Sequence, residues 1–509
     1  PSHILDNLTP ATPPPVADGT HHLASCRAFL ARLRFRENPA KLVTGVVRQW
    51  LPPSIYAAQA VTAIRVSQMS TRREFLKSAA VAASALPFAG PFVQASDKAR
   101  KYRTALIGTG WWGMNILCEA IAAGQTKVVA LCDVDGSQLD VGADELVGLT
   151  ADSPKLYRDY REMLEKEDIE IAIVATPDHW HALNAIECLK HGTHVFVEKP
   201  TGHTVRESRA MVEIARQADR VVQVGLHRRI GPHHVSGMKF LKEGHAGQIG
   251  LVKMFVHGGG GHENPTPNSE PPKELDWDFY CGPAPLRPFN RKIHPGGFRN
   301  FLDFANGTLG DWGVHWLDQV LWWTDEKYPK RVFSTGGRQI AGEPILNDEE
   351  QTTDAPDHQT ATYEFESFTA IWEHHRFGRT GPYPHPFGCY FYGTEGIFHM
   401  GWKDGWTFYP SDGKKPPVHE DPQFDNVPDG HNVPPLWRDF LSAIETGARP
   451  VADVEVGHLS TNLSLLGMLS YKLGRSIDWD GEKELIPGDD EANALLQREY
   501  RGEWEYPTV

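Results

Sequence analysis

The chain has 509 residues, 40% hydrophobic and 23% charged, an ordinary globular composition with material for two domains. Its net charge of -14 argues against a general nucleic-acid binder. The six cysteines (Cys26, Cys118, Cys132, Cys188, Cys281, Cys389) include no CxxC pair, a pattern that suits neither a zinc ribbon nor a disulfide scaffold. Cys118, Cys132 and Cys188 fall in apolar segments and read as small buried hydrophobes.

Residues 1–68 lack methionine, cluster prolines at Pro13, Pro14 and Pro15, and show no sustained period. They read as a disordered leader or as sequence upstream of a misplaced start, not as a domain. From Met69 the chain changes. Ser70-Thr-Arg72-Arg73-Glu-Phe75-Leu76-Lys77 resembles a twin-arginine export signal, followed by an apolar run from Ala79 to Leu86, Pro87, and small residues around Ala95. The run is too short and too alanine-rich for a stable membrane span. Residues 69–95 are therefore expected to export the folded protein to the periplasm, with the mature chain starting near Ser96.

Residues 96–226 read as a doubly wound α/β domain. An apolar strand from Arg103 enters Gly108-x-Gly110-x-x-Gly113, and a second strand, Val128 to Cys132, ends in Asp133. Gly108 permits the tight turn, Gly110 lets a pyrophosphate approach, and Gly113 lets the helix lie close on the sheet. Trp111 and Trp112 open that helix, whose N-terminal N–H groups favour an anion. Asp133 would bond ribose hydroxyls and repel a 2′-phosphate, favouring NAD over NADP. Helix and strand then alternate: a helix at 137–149, a short strand and helix before Lys166, a buried strand at 169–175, a helix at 181–191, a strand at 194–198, a helix at 205–218 and a last strand at 221–224.

After Gly225 the pattern changes, and residues 227–480 read as an α+β domain with a large, mostly antiparallel sheet. A helix at 235–242 precedes a strand at 251–256 and a Pro/Gly-rich stretch from Gly258 to Phe298. A helix bearing Trp316, Leu317, Val320 and Leu321 comes next. Strands recur at 360–365, 369–372, 389–392, 396–400 and 406–409, some joined by hairpin-type separators such as Glu366-Ser367. Helices at 434–446 and 457–473 close the domain, and 481–509 reads as a tail.

Five motifs in order resemble the glucose–fructose oxidoreductase / inositol dehydrogenase / MocA (Gfo/Idh/MocA) family: Gly108–Gly113, Ala175-Thr-Pro-Asp-His-Trp-His181, Glu198-Lys199-Pro200, Gln223-Val-Gly-Leu-His-Arg228 and Gly307–Asp318. The resemblance covers roughly residues 102–480, and Leu275–Pro285 is like the same stretch of secreted bacterial members. His227 departs from it, since many relatives carry glutamine there. The resemblance implies a pyridine-nucleotide oxidoreductase of sugars, inositols or related polyols. It also implies a homo-oligomer, a dimer or tetramer, formed through the C-terminal sheet.

By the same resemblance Lys199, Asp311 and His315 meet the reacting carbinol. Lys199 follows a buried strand and precedes Pro200, at the sheet edge where a nicotinamide would lie, and its ammonium can stabilise an alkoxide-like oxygen. Glu198 would hold the lysine or the adjacent backbone in place. Asp311 and His315 are four apart, so one helix face could let the carboxylate orient the imidazole. The reading leaves the base open between Lys199 and His315. Thr176, Pro177 and His181 would border the cofactor, Asp178 could cap the following helix, and Gln223 would near the nicotinamide amide. Arg228, Trp277 and Arg299 are candidate substrate contacts, through arginine on vicinal hydroxyls and an aromatic face on sugar C–H groups. The pairs His233-His234 and His374-His375 match no closed metal site and read as polar surface, so no metal is assigned. The leading expectation is an NAD-dependent oxidoreductase; alternatives are a glycosidase working by transient oxidation and elimination, and a non-enzymatic sensor.

Overall fold

The computed structural model describes residues 100–378, 385–423 and 428–508. The expected leader and export signal lie outside the described residues.

Six strands form one parallel sheet: β1 (Tyr102–Ile107), β2 (Thr126–Cys132), β3 (Lys155–Tyr157), β4 (Ile171–Val174), β5 (His194–Val197) and β6 (Val222–Val224), in the order β3-β2-β1-β4-β5-β6. The helices between them are α1 (Trp111–Ala122), α2 (Gly136–Leu146), α3 (Tyr160–Lys166), α4 (Asp178–Lys190) and α5 (Val205–Gln217). β4 is buried on both faces, as its unbroken Ile-Ala-Ile-Val run requires. The order reverses between β1 and β4, and their carboxyl ends open the crevice in which such sheets bind ligands. α5 starts where a capping box forms, with Thr204 and Glu207 each satisfying the other's backbone N–H. Cys118, Cys132 and Cys188 are buried, as expected.

After α6 (Pro232–Lys242), a second sheet begins with β7 (Ile249–His257). A tiny ribbon pairs β8 (Thr266–Pro267) with β10 (Glu350–Gln351), and short helix α7 (Trp277–Cys281) lies in the irregular stretch between. The large sheet adds β9 (Arg331–Gly337), β11 (His358–Glu364), β12 (Thr369–His375), β13 (Phe387–Gly393), β14 (Gly396–Met400), β15 (Trp406–Pro410), β16 (Val418–Glu420) and β17 (Ile477–Asp478). Only β7 and β12 run parallel in it, so the mostly antiparallel reading holds. β11 and β12 alternate buried and part-exposed residues strictly, which turns one face to a core and leaves the other open.

That core is built by α6, α8 (Val314–Trp323) and α10 (Val454–Leu473), through Met238, Leu241, Trp316, Leu317, Leu463 and Leu466 against Ala361, Trp372 and Phe391. Helix α9 (Pro428–Thr446) does not join it. Val433, Leu436, Trp437 and Phe440 pack instead on the first sheet, with Leu106, Leu117 and Phe196. The C-terminal stretch is docked as well: the Tyr500 hydroxyl donates to Glu207 at 2.7 Å, and Arg498 reaches the same carboxylate at 3.1 Å. Among the described residues, no helix is long and apolar enough to cross a membrane.

Candidate active site

The three glycines of the first turn are explained by three different spaces. Gly108 sits at φ +94°, and a Cβ there would lie 2.6 Å from the Ala175 carbonyl oxygen. At Gly113 a Cβ would lie 2.1 Å from the Gly108 carbonyl oxygen, so only glycine lets α1 lie this close. Gly110 is unlike both. Its backbone is ordinary (φ -64°, ψ 173°), and nothing stands within 4 Å of a built Cβ. The fold itself has no need of glycine there, whereas a ligand lying against the backbone does. No side chain caps α1, so its first N–H groups face the same space.

Asp133 stands beside this turn. One carboxylate oxygen accepts from the Thr109 N–H at 2.7 Å and the other from the Asp135 N–H at 2.9 Å. Burial raises its pKa, against the pull of these N–H donors and of His294. The first oxygen also accepts from the Thr109 hydroxyl at 3.1 Å, so the second keeps a lone pair for a further donor such as a ribose hydroxyl. Trp111 is 58% exposed at the mouth of the turn, and Trp112 turns inward to pack edge-on against His227 at 5.3 Å. Gln223 is buried with both amide atoms unpartnered within the protein. Such a group calls for a polar ligand. Open room at Gly110, the helix start without a side-chain cap, the acid at the end of β2 and the unsatisfied amide of Gln223 together fit a dinucleotide.

Thr176 and Pro177 lie where expected, Pro177 taking the cap position of α4, with Asp178 as its first residue. His181 does not present its ring to a ligand. Its two nitrogens contact the Pro200 and Thr176 carbonyls, each at 2.7 Å, so it ties together the two loops beyond β4 and β5.

The reactive cluster joins the two sheets. Lys199, at the end of β5, places Nζ 2.6 Å from Asp311 Oδ1 and 3.0 Å from the Asp311 carbonyl oxygen. Arg299 Nε donates to the same Oδ1 at 3.2 Å. Burial alone would raise the Asp311 carboxyl, but the Lys199 and Arg299 charges outweigh it and hold the pKa at about 2. The expected pairing of Asp311 with His315 is therefore corrected: Lys199 and Arg299 take up this carboxylate. Leu309–Gly313 form a turn of π-helix ahead of α8, which breaks the i,i+4 stacking an α-helix would give.

His315 is buried beside Trp402 at 5.7 Å. Burial, then the nearby charges of Arg228 and Lys199, hold its imidazole well below the usual range, so it is neutral. The Arg228 guanidinium, itself buried, lies over the Trp402 and Trp316 rings. Glu198 is 3.3 Å from His227. Burial raises its carboxyl, yet His227, Lys199 and the Trp112 indole together keep it below the ordinary value. Gly225 makes this possible, since a Cβ there would lie 2.2 Å from Glu198 Oε1.

Two further readings are corrected. Trp277 offers no face to a ligand: it stacks on Tyr280 at 4.9 Å, packs edge-on to Phe289, and donates its indole N–H to the Arg287 carbonyl at 2.7 Å. His233, His234 and His374 are buried rather than polar surface. The sequence reading used Asp178 only as a helix cap. In the structure it is 4% exposed, Oδ2 has no partner, and burial lifts its pKa to about 7 despite Arg299 and Lys199. Trp402, in a turn distant in sequence, gave no signal of its place in the site.

Comparison with known proteins agrees with this geometry. The oxidoreductase-family model for the NAD-binding Rossmann fold matches residues 102–226, and that for the C-terminal alpha/beta domain matches residues 245–341 and 416–506. A glycosyl hydrolase family 109 protein of Shewanella baltica (strain OS155 / ATCC BAA-1091) is 28% identical over 201 residues, 35% of this chain and 44% of that protein. The match thus spans less than half of that relative. An oxidoreductase from Agrobacterium radiobacter, solved with NAD+, L-tartaric acid and magnesium, has a TM-score of 0.56 at 16% identity, over 74% of this chain and 98% of that one. Aldose–aldose oxidoreductase from Caulobacter crescentus, solved with glycerol, has a TM-score of 0.55 at 18% identity, over 74% and 100%. With its Rossmann crevice and its facing α/β sheet both matched, the chain belongs to the Gfo/Idh/MocA oxidoreductase family.

Proposed function

We propose that this protein is an NAD-dependent oxidoreductase that moves a hydride between the nicotinamide and a carbinol of a sugar or polyol. The observation that carries the reading is the Lys199–Asp311 pair, set at the carboxyl edge of the nucleotide sheet and closed from the other side by α8. When bound, NAD supplies the hydride acceptor. The chain's own residues handle the proton and the charge. Two of the three Lys199 N–H donors go to Asp311, which leaves the third for a substrate oxygen. Lys199, beside the ionised Asp311 carboxylate, donates to the substrate oxygen and stabilises it as it becomes oxyanion-like. The hydroxyl proton goes to Lys199 or His315, and the Lys199 and Arg228 charges that hold His315 neutral also oppose its protonation. Arg228 and Arg299 bind further hydroxyls. Gly110, Asp133, Thr176, Pro177 and Gln223 hold the nucleotide.

Chemistry of the relatives supports the substrate class: one solved structure is an aldose–aldose oxidoreductase and another holds NAD+ with a hydroxy acid. The test is to denature the purified protein, identify any nucleotide released, and follow nicotinamide absorbance on adding a panel of sugars and polyols. Nicotinamide reduction by at least one of them is expected; a different nucleotide, or none bound or accepted, overturns the reading.

A second reading is favoured by the resemblance to a glycosyl hydrolase family 109 protein. In it the same site oxidises a glycoside transiently, eliminates the aglycone and returns the hydride. Cleavage of an aryl glycoside that requires NAD but leaves no net reduced nucleotide would select it.

Export to the periplasm through Arg72 and Arg73 completes the proposal, and replacing both by lysine should hold folded protein in the cytoplasm. Assembly through the open sheet face is supported by exposed Phe333, Ile397 and Tyr409 there. A solution mass of one chain overturns it.

A further inference from the structure

The outer face of the second sheet carries a group of side chains that the hydride chemistry does not use. Register places His399 on β14 opposite Thr407 on β15, and Thr407 opposite His419 on β16. His385 arrives just ahead of β13, and Asp404 sits in the turn between β14 and β15. His385 Nδ1 is 2.5 Å from Asp404 Oδ2, and the His385 and His399 rings lie 4.0 Å apart. One donor atom from each of His385, His399 and Asp404 falls within 4.8 Å of the others. We propose that His385, His399 and Asp404 form a binding site for a divalent transition-metal ion of the zinc class.

His399 is the anchor. Its side chain is 1% exposed, and Nε2 has no partner in the protein. A buried ring nitrogen left unsatisfied costs free energy that a metal bond would offset. Residue 388 beside it is glycine, and a Cβ there would stand 2.7 Å from Nε2 and crowd that nitrogen. The other two ligands sit on turns and are looser, with side-chain exposures of 23% for His385 and 41% for Asp404. Tetrahedral bonds of about 2.1 Å need donors roughly 3.4 Å apart. The donor atoms, within 4.8 Å of one another, would have to close toward that spacing, and the two turn ligands are the ones free to do so.

Two imidazoles and one carboxylate suit zinc and its neighbours rather than magnesium or calcium. Three protein ligands leave a fourth position for water. His385 and Asp404 also line a cleft of about 540 Å³, together with Lys403, His419 and Asp421.

The test uses the full chain, stripped of metal by a chelator and titrated with Zn²⁺ alone against a chromophoric competitor. Co²⁺ titration gives the visible spectrum of the same site. One tight equivalent is expected, and His385→Ala, Asp404→Asn and His399→Gln should each weaken it by at least about tenfold. Should His399→Gln fail to fold, the two turn variants decide alone. No tight equivalent in the wild-type chain, or unchanged affinity in His385→Ala and Asp404→Asn, overturns the site.

Discussion

Asp178→Asn tests the electrostatics of the candidate active site most sharply, because the buried carboxyl is held against its chemistry. Burial lifts its pKa from the ordinary 3.8 to about 7, with Asp311 adding and with Arg299 and Lys199 opposing. A folded-state pKa above the unfolded one means that the folded protein keeps its proton while the unfolded chain has lost it. Stability from this group is therefore full below about pH 4 and falls by about 1.4 kcal/mol per pH unit up to about pH 7. The total is about 4 kcal/mol, an order-of-magnitude figure. An amide of the same shape escapes the loss. Urea unfolding of the nucleotide-free wild-type and variant proteins, followed by tryptophan fluorescence from about pH 4 to pH 8, reads the difference directly. Similar stability at the acid end is expected, with the variant gaining steadily toward neutral pH. Parallel pH dependences would refute the reasoning. A variant that loses ground as pH rises would show instead that Asp178 is ionised and paired, as Asp311 is.

Three other substitutions follow from the geometry. Gly110→Val should keep the fold, since the backbone there is ordinary and the space open, yet lose the nucleotide; bound nucleotide measured after desalting checks this. Asp311→Asn should remove about 2 kcal/mol of stability at neutral pH. That contribution is present above the ordinary 3.8 and vanishes as pH falls through about 2, so the difference from wild type should close in acid. Asp133→Ser should narrow the preference for NAD over NADP, measured as the ratio of the two dissociation constants, and equal affinity of the native protein for both would exclude Asp133 as the discriminator.

Much of the nucleotide half was legible because its signals are local. The glycine turn, the strand before it and the acid about twenty residues later sit on one β-α-β unit, where spacing fixes placement. The partner of Lys199 was not legible in that way. Asp311 is 112 residues away, and its apparent partner His315 was chosen by α-helical spacing that the π-turn at Leu309–Gly313 abolishes. Trp277 shows another limit: an aromatic residue reads the same whether it lies in a site or a core, and only Tyr280 and Phe289 across it decide. Buried His233, His234 and His374 were misread because adjacent histidines look polar, while the sheet and helix surfaces that cover them are assembled from distant strands. Helix α9 was recognisable as a helix, but nothing local tells that Trp437 packs on Phe196 of the other sheet.

The most direct test of the central reading is nicotinamide reduction by the NAD-loaded protein and a confirmed sugar or polyol substrate, compared across wild type, Lys199→Ala and His315→Ala under single-turnover conditions. Loss of an oxyanion partner or a proton acceptor should slow the step by about two to four orders of magnitude in each variant while bound NAD is retained. Reduction at the wild-type rate in both variants would contradict the assignment and place the chemistry elsewhere.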